Sequence, residues 1–338
     1  MKVTVIGAGP SGSTAAFYLA KAGCEVDLVD RMDFPREKAC AGGLFNPLLF
    51  EKEFPLIGPL EGKDLHRVRF SFGPYSFLHE TEKPLLRTVM RKEFDLFLLE
   101  RARDAGARFH VGTPSPGSGR VIFATGVRPP ADYRKAGVCM EYDLPIDRDI
   151  DTIRVHYGFS GIKGYCWLYP KHGHVNVGVG AYLPRKDIKD VFLRYIEHLK
   201  TEGVVLEKGP YHRAKIIPFS PVKKPYDGSG VCIGDAAGFV RPGTGEGIYF
   251  AMCSGKIAAR MVTEKRDAKW YEKECNRIFG RYLKSAVASL PPRLCNRVLE
   301  KAVRIGSKDP EFGKLMAEDF FRLGYHSLTG RFLADVFR

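Results

Sequence analysis

MKVTVIGAGPSGSTAAFYLAKAGCEVDLVD, residues 1–30, decides the fold. Val3, Val5 and Ile6 form a short apolar run that reads as a buried parallel strand. Gly7-Ala8-Gly9-Pro10-Ser11-Gly12 follows, a G-x-G-x-x-G fingerprint. Ala15, Ala16, Leu19 and Ala20 then recur at helical spacing, Gly23 closes the helix, and Glu25–Val29 make a second strand ending in Asp30. Each glycine has a physical task. Gly7 permits a tight turn, Gly9 lets the backbone approach a pyrophosphate, and Gly12 lets helix and strand pack closely. The helix N-terminus favours negative charge, and Asp30 stands where an acid accepts ribose hydroxyls. A fingerprint between a strand and a helix, with an acid at the end of the next strand, predicts a dinucleotide site. It leaves open which dinucleotide.

A chain of 338 residues buries a substantial core and holds one large domain or two interleaved ones. Its 44% hydrophobic and 27% charged content is that of a soluble globular protein. No apolar run spans a bilayer, and the apolar start is the first strand rather than a signal peptide. The formal charge of +14 suits nucleic acid, an anionic membrane surface or anionic small molecules. No zinc-finger spacing or aromatic RNA-binding signature is present, so no nucleic-acid partner is expected. The eight cysteines are scattered and form no C-x-x-C, which argues against zinc and dithiol chemistry and for a reducing cytosol. His172-Gly173-His174 lacks a carboxylate or cysteine partner and reads as a hairpin turn, so no metal site is expected.

Further along, RMDFPREKACAGGL (residues 31–44) reads as a loop returning to the nucleotide, with Arg36 and Lys38 placed to neutralise an anion. Residues 67–72 and 75–78 alternate around Gly73-Pro74 as a hairpin, and Arg91–Gly106 reads as a helix. Residues 111–118 read as a turn-rich link, and Val121–Gly126 as a buried strand with a small-residue end. Residues 130–217 read as an antiparallel region, with strands at 154–159, 165–170 and 174–182 and an amphipathic helix over 187–200. In Gly230–Ala259 a strand ends in Gly234-Asp235, a loop carries Pro242, Gly243, Gly245 and Gly247, and a small-residue helix starts at Ile248. Residues 270–338 read as helical, broken at Pro291-Pro292.

Three separated pieces resemble the p-hydroxybenzoate hydroxylase-like FAD enzymes: the N-terminal fingerprint, Ala124-Thr125-Gly126, and Gly234-Asp235 with Pro242 and Gly245-Glu246-Gly247. Two more narrow the resemblance to the geranylgeranyl reductase family. Lys38-x-Cys40-x-Gly42-Gly43 is similar to its K-x-C-G-G loop, departing by the inserted Ala41. Tyr165-x-Trp167-x-Tyr169-Pro170, then seven residues and Gly178-x-Gly180, is similar to its Y-x-W-x-F-P-x7-G-x-G motif, with Tyr169 in place of Phe. The likeness covers residues 1 to about 260, and the chain is shorter than many members.

The resemblance implies an α/β (α+β) fold, in which a Rossmann-like parallel sheet with helices is interleaved with an antiparallel-sheet substrate domain and a C-terminal helical segment. It partitions the chain into a discontinuous FAD-binding domain (1–58, 87–129 and 218–268), a substrate domain (59–86 and 130–217) and a C-terminal helical region (269–338). It implies FAD as cofactor, held by Gly7, Gly9, Gly12, Ser13, Asp30, Arg31, Cys40, Ala41, Gly43, Arg91, Ala124, Gly126, Asp235, Pro242, Gly245, Gly247 and Ile248. NAD(P)H or ferredoxin is the implied reductant. Tyr165, Trp167, Tyr169, Gly178 and Gly180 would shape a cavity for a prenyl lipid or quinone, and Cys40 is the candidate catalytic side chain, as proton donor or gate. The implied reaction is saturation of isolated prenyl C=C bonds by hydride from reduced flavin N5.

Two other readings share the fold. One is a flavin monooxygenase or halogenase, whose W-x-W-x-I-P motif residues 165–170 partly echo. The other is a non-catalytic FAD-binding electron-transfer protein at a membrane. Residues 281–338 hold eleven Lys/Arg against six Asp/Glu, a surplus of five, and Arg297, Lys301 and Arg304 suit an interfacial face. The expected location is cytoplasmic, extending to peripheral contact at the inner face of the cell membrane.

Overall fold

The computed structural model describes residues 1–113, 119–127, 136–182, 187–204, 214–219, 225–227 and 230–321. Most of the expected link at 111–118, the expected boundary at 129–130 and the end of the C-terminal region lie outside the described residues. Two compact units emerge. The first comprises residues 1–38, 91–136 and 217–284, and the second 39–90, 137–216 and 285–338.

The first unit is built on a six-stranded sheet. Its strand order is Tyr226–Asp227, Gly230–Cys232, Arg120–Phe123, Lys2–Ile6, Glu25–Asp30, Arg108–Val111. All pairs are parallel except the first. The opening strand lies inside the sheet, with Val3 beside Val26 on one flank and Arg120 on the other, so Val3 and Val5 are fully buried. This is the continuous apolar pattern a central parallel strand requires. Helix Pro10–Lys21 packs on helix Ile248–Thr263 at backbone distance, because a Cβ on Gly255 would sit 2.4 Å from the Ser11 carbonyl oxygen. Small residues on both helices, Ala15 and Ala16 on one and Gly255 and Ala258 on the other, make that approach sterically open. Residues 269–284, expected in the C-terminal region, belong to this unit, and the Tyr271 hydroxyl donates to the Cys232 carbonyl at 3.0 Å.

The second unit holds a seven-stranded sheet ordered Lys215–Pro218, Ala136–Pro145, His174–Tyr182, Gly164–Lys171, Thr152–Tyr157, Arg67–Phe72, Tyr75–Glu80. The expected hairpins form, with Lys171 opposite His174 and Phe72 opposite Tyr75. One expectation changes: Thr152–Tyr157 pairs with Arg67–Phe72 in parallel, so the sheet is mixed. No hairpin joins these two strands, and no tight turn imposes an antiparallel direction on them.

The period of two divides this sheet into unlike faces. Tyr142, Leu144, Cys166, Leu168, Val175, Val177 and Val179 point to one face, where helix Ile188–Thr201 covers them with Val191, Phe192, Tyr195 and Leu199. Each such side chain removed from water contributes about 1.5–3 kcal/mol before entropy is counted. The register places Asp143, Tyr165, Trp167, Tyr169, Lys171, Asn176, Gly178 and Gly180 on the other face.

Gly43–Phe45, expected as loop, is a strand in a separate three-stranded sheet with Leu86–Thr88 at its centre and Lys63–Leu65 beyond. Residues 39–58, expected with the nucleotide domain, therefore belong to the second unit. Helices Pro292–Gly306 and Pro310–Phe321 close the unit, with Pro292 starting the first of them. Gly306 and Gly313 admit the Phe77 ring, whose atoms lie 2.7 and 3.1 Å from where their Cβ atoms would stand.

Candidate functional site: a nucleotide cradle and an aromatic face

In the first unit, the fingerprint turns at Gly7, whose φ of +105° is strained for any residue with a Cβ. A Cβ there would lie 2.3 Å from the Ala124 carbonyl oxygen, and one on Gly12 would lie 1.7 Å from the Gly7 carbonyl oxygen. These two glycines allow backbone to meet backbone. Gly9 differs, since among the described residues, its chain neighbours apart, only Arg36 Nη2 comes within 4 Å of its Cβ position, at 3.6 Å. Gly9 also begins helix Pro10–Lys21, with no side-chain cap and no acid in the first turn, which leaves the positive end of the helix open to an anion.

Asp30 orders this turn as it waits at the strand end. Its carboxylate accepts the Ala8 N–H at 2.8 Å and the Met32 N–H at 3.1 Å. Arg36 Nη2 stands 3.9 Å from Asp30 and 3.6 Å from Asp95, and the guanidinium lies over the Phe34 ring at 4.7 Å. The Arg36 Nε is buried with no hydrogen-bond partner among the described residues. An orphaned cationic donor beside an open Gly9 fits a dinucleotide phosphate or adenosine. The sequence places Arg36 in a loop returning to the nucleotide, as a cation for an anion.

Three further groups of cofactor candidates in this unit accompany the fingerprint. Ser13 is fully buried and donates to the Ala8 carbonyl at 2.9 Å, so its hydroxyl proton serves the turn. Arg91 makes a bidentate pair with fully buried Asp95 at 2.9 and 3.0 Å, while Arg31 is exposed. Asp95 is a partner the sequence reading missed. Ala124 and Gly126 lie at the end of the strand Arg120–Phe123, where Lys38 Nζ stands 4.0 Å from the Gly126 Cβ position.

The second glycine region is also in this unit. Asp235 is half-buried, and its Oδ1 lies 3.4 Å from the Gly247 Cβ position. Burial raises the Asp235 carboxyl, while the charges of Lys38 and Arg91 pull it back. Pro242, Gly245 and Gly247 lead into buried Ile248, the first residue of helix Ile248–Thr263. Glu246, read from sequence only as part of the glycine motif, is 4% exposed. Its Oε1 accepts the Tyr249 N–H at 3.0 Å, and its Oε2 is buried without a partner among the described residues. Burial pushes its carboxyl up to about 7, against the Tyr249 N–H and the Arg241 charge.

The second unit holds the other candidates. Tyr165, Trp167 and Tyr169 are all buried on one sheet face, with ring centroids 5.6 and 6.2 Å apart in sequence order. Phe320 meets Tyr165 at 5.7 Å, extending the aromatic face. Trp167 lies directly against Gly178, where a Cβ would be 2.2 Å from the indole, and Gly180 leaves 3.4 Å. Cys40 and Ala41 are half-buried before the Gly42 turn, with Gly43 beginning a strand. Cys139 is buried nearby, its thiol raised chiefly by burial and further by Glu141 and Cys40.

The chain is similar to several known proteins. A model described as an NAD(P)-binding Rossmann-like domain matches residues 5–36. The digeranylgeranylglycerophospholipid reductase 2 of Methanothermobacter thermautotrophicus is 29% identical over 83% of this chain and 80% of its own. The menaquinone reductase of Mycolicibacterium smegmatis is 30% identical over 77% of this chain and 76% of its own. The chain belongs to the geranylgeranyl reductase family. A crystal structure of a geranylgeranyl bacteriochlorophyll reductase-like protein from Thermoplasma acidophilum superposes with a TM-score of 0.77 at 24% identity, covering 99% of this chain and 98% of that one. That likeness shows a common fold. As a geranylgeranyl reductase family member the chain is a flavin-dependent oxidoreductase.

Proposed function

We propose that this protein saturates isolated C=C bonds of a prenyl lipid or prenylated quinone, with FAD held by the first unit. The observation that carries the reading is Trp167 seated on Gly178 within a buried aromatic face. Tyr165, Trp167 and Tyr169 offer an apolar, rigid lining to a hydrocarbon tail, and aromatic rings contribute large contact area at low entropy cost. The names of the two reductases support the same substrate class.

When bound, reduced FAD supplies a hydride from N5 for one alkene carbon. The chain supplies the rest. Gly9, Arg36 and the uncapped helix start bind the pyrophosphate, and Asp30 accepts ribose hydroxyls. Asp235 and the glycine loop through Gly247 take the flavin end, together with Arg91, Ala124, Gly126, Pro242, Gly245 and Ile248, in our reading. The second alkene carbon needs a proton, and Cys40 is the side chain assigned to deliver it or to gate its path. NAD(P)H or ferredoxin would serve as reductant.

No helix among the described residues is long and apolar enough to cross a membrane. In this reading the lipid substrate is met at a membrane surface. Helix Pro292–Gly306 exposes Arg293, Arg297 and Arg304, with Lys301 half-buried, which suits the anionic inner face of a membrane.

The test is anaerobic incubation of flavin-loaded protein with dithionite and a geranylgeranyl lipid, followed by mass spectrometry. Products heavier by two hydrogens per bond are expected. Oxygenated or halogenated products formed only in air, with no saturated product, refute the reading. Cys40→Ala should retain flavin and slow alkene reduction about tenfold or more. Unchanged turnover removes Cys40 from the mechanism.

A further inference from the structure

The strand that carries Trp167 also carries a buried charge. Lys171 is its last residue and is 1% exposed. An ammonium in such a place is costly unless paired, and Asp143 Oδ1 lies 2.7 Å from Nζ. No acceptor among the described residues lines up with the Lys171 N–H bonds. Asp143 Oδ1 also accepts from Asn176 Nδ2 at 3.0 Å, and Asn176 Oδ1 accepts the Trp167 indole N–H at 2.7 Å. The amide orientation follows from its neighbours. An indole N–H can only donate and a carboxylate only accept, so the reversed amide would lose both bonds.

The far end of the line meets the cysteine loop. Lys171 Nζ lies 3.5 Å from the Cβ position of Gly42, two residues after Cys40. Gly42 has a φ of +69°, and a Cβ there would strike the Val89 carbonyl oxygen at 2.1 Å. The Gly42 carbonyl accepts the Val89 N–H at 3.0 Å, and the Thr88 hydroxyl donates to the Pro170 carbonyl at 2.5 Å. The turn after Cys40 is thus clamped beside the end of the Trp167 strand.

We propose that Lys171, acting through Asp143 and Asn176, is a positioning residue that fixes the plane of the Trp167 indole and holds the Gly42 turn in register with it. An apolar pair of similar volume would fill this place with equal or greater stability, so the charges contribute direction rather than strength. The link to turnover rests on the prenyl-reductase reading. The link to Trp167 does not.

The chain has two tryptophans, so Trp270→Phe leaves Trp167 as the sole indole reporter. In that flavin-loaded background, Lys171→Met should shift Trp167 emission and raise acrylamide quenching about threefold. It should lower kcat for the geranylgeranyl lipid about tenfold and leave FAD affinity within about twofold. Lys171→Met strands Asp143, so the neutral pair Lys171→Met/Asp143→Asn is the companion variant. It keeps an amide oxygen for Asn176 but no Lys171 to orient it, so Trp167 quenching should stay above the parent value and kcat should stay low. Parent-like emission and quenching in folded Lys171→Met overturn the proposal, as does parent-like kcat in the neutral pair. A parent protein that reduces no prenyl lipid refutes the prenyl reading instead, and the substrate-free quenching comparison still judges Lys171.

Discussion

The glycines of the two units do opposite work. In the first unit Gly9 leaves a space that no described residue fills, with Arg36 at its edge. In the second, Gly178 leaves a space that the Trp167 indole fills. The same missing Cβ opens a place for a ligand in one unit and builds a wall in the other. A glycine motif therefore states that something comes close, and only its surroundings state what.

The comparison breaks most readily at the fingerprint. Gly12→Ala drives a Cβ into the Gly7 carbonyl at 1.7 Å, so FAD affinity should fall about a hundredfold or more, read by fluorescence titration. Among the described residues Gly9→Ala meets only Arg36 Nη2, at 3.6 Å, and should leave thermal stability unchanged while weakening FAD about tenfold. Equal FAD affinity in Gly9→Ala and parent would mean that the opening is not a nucleotide site.

The wall should fail differently. Gly178→Ala places a Cβ 2.2 Å from the indole and forces the ring to move. We expect about 1–3 kcal/mol of destabilisation, retained FAD and lost prenyl turnover. Denaturant unfolding and product analysis on the same preparation separate these effects. Loss of FAD with turnover per bound flavin unchanged would contradict the division of labour between the units.

The smallest expected effect concerns Glu246. Its folded pKa is raised to about 7 from 4.5, so the folded protein binds more protons than the unfolded chain between those values. Stability should therefore fall as pH rises from about 5 to about 7, then level off. Glu246→Gln should flatten that fall, measured as Tm against pH. An unchanged slope would show that the carboxyl is already charged when folded.

Much of the nucleotide cradle was legible because its parts are local: strand, glycines, helix and acid lie within thirty residues. Strand His174–Tyr182 matched its expected limits, since clean alternation and a Gly turn leave little choice. Partners that meet only in three dimensions were not legible. Asp95 reads as one more helix acid, yet it is fully buried against Arg91. Asn176 and Asp143 sit in apolar-looking strands, and only the register puts them opposite each other beside Trp167. The parallel pairing of Thr152–Tyr157 with Arg67–Phe72 was likewise hidden, because 79 positions (73–151) separate the two strands and no local turn signal joins strands so far apart.

The backbone-distance packing of Gly255 on Ser11 carries a practical consequence. The fingerprint that names the fold cannot be excised as a minimal binding module. A fragment ending before residue 248 would present Ser11, Ala15 and Ala16 bare to water, and its turn would lack the buttress that keeps it shaped. Expression trimming and domain grafting should therefore treat positions near the start and near 255 as one inseparable piece, however far apart they are written.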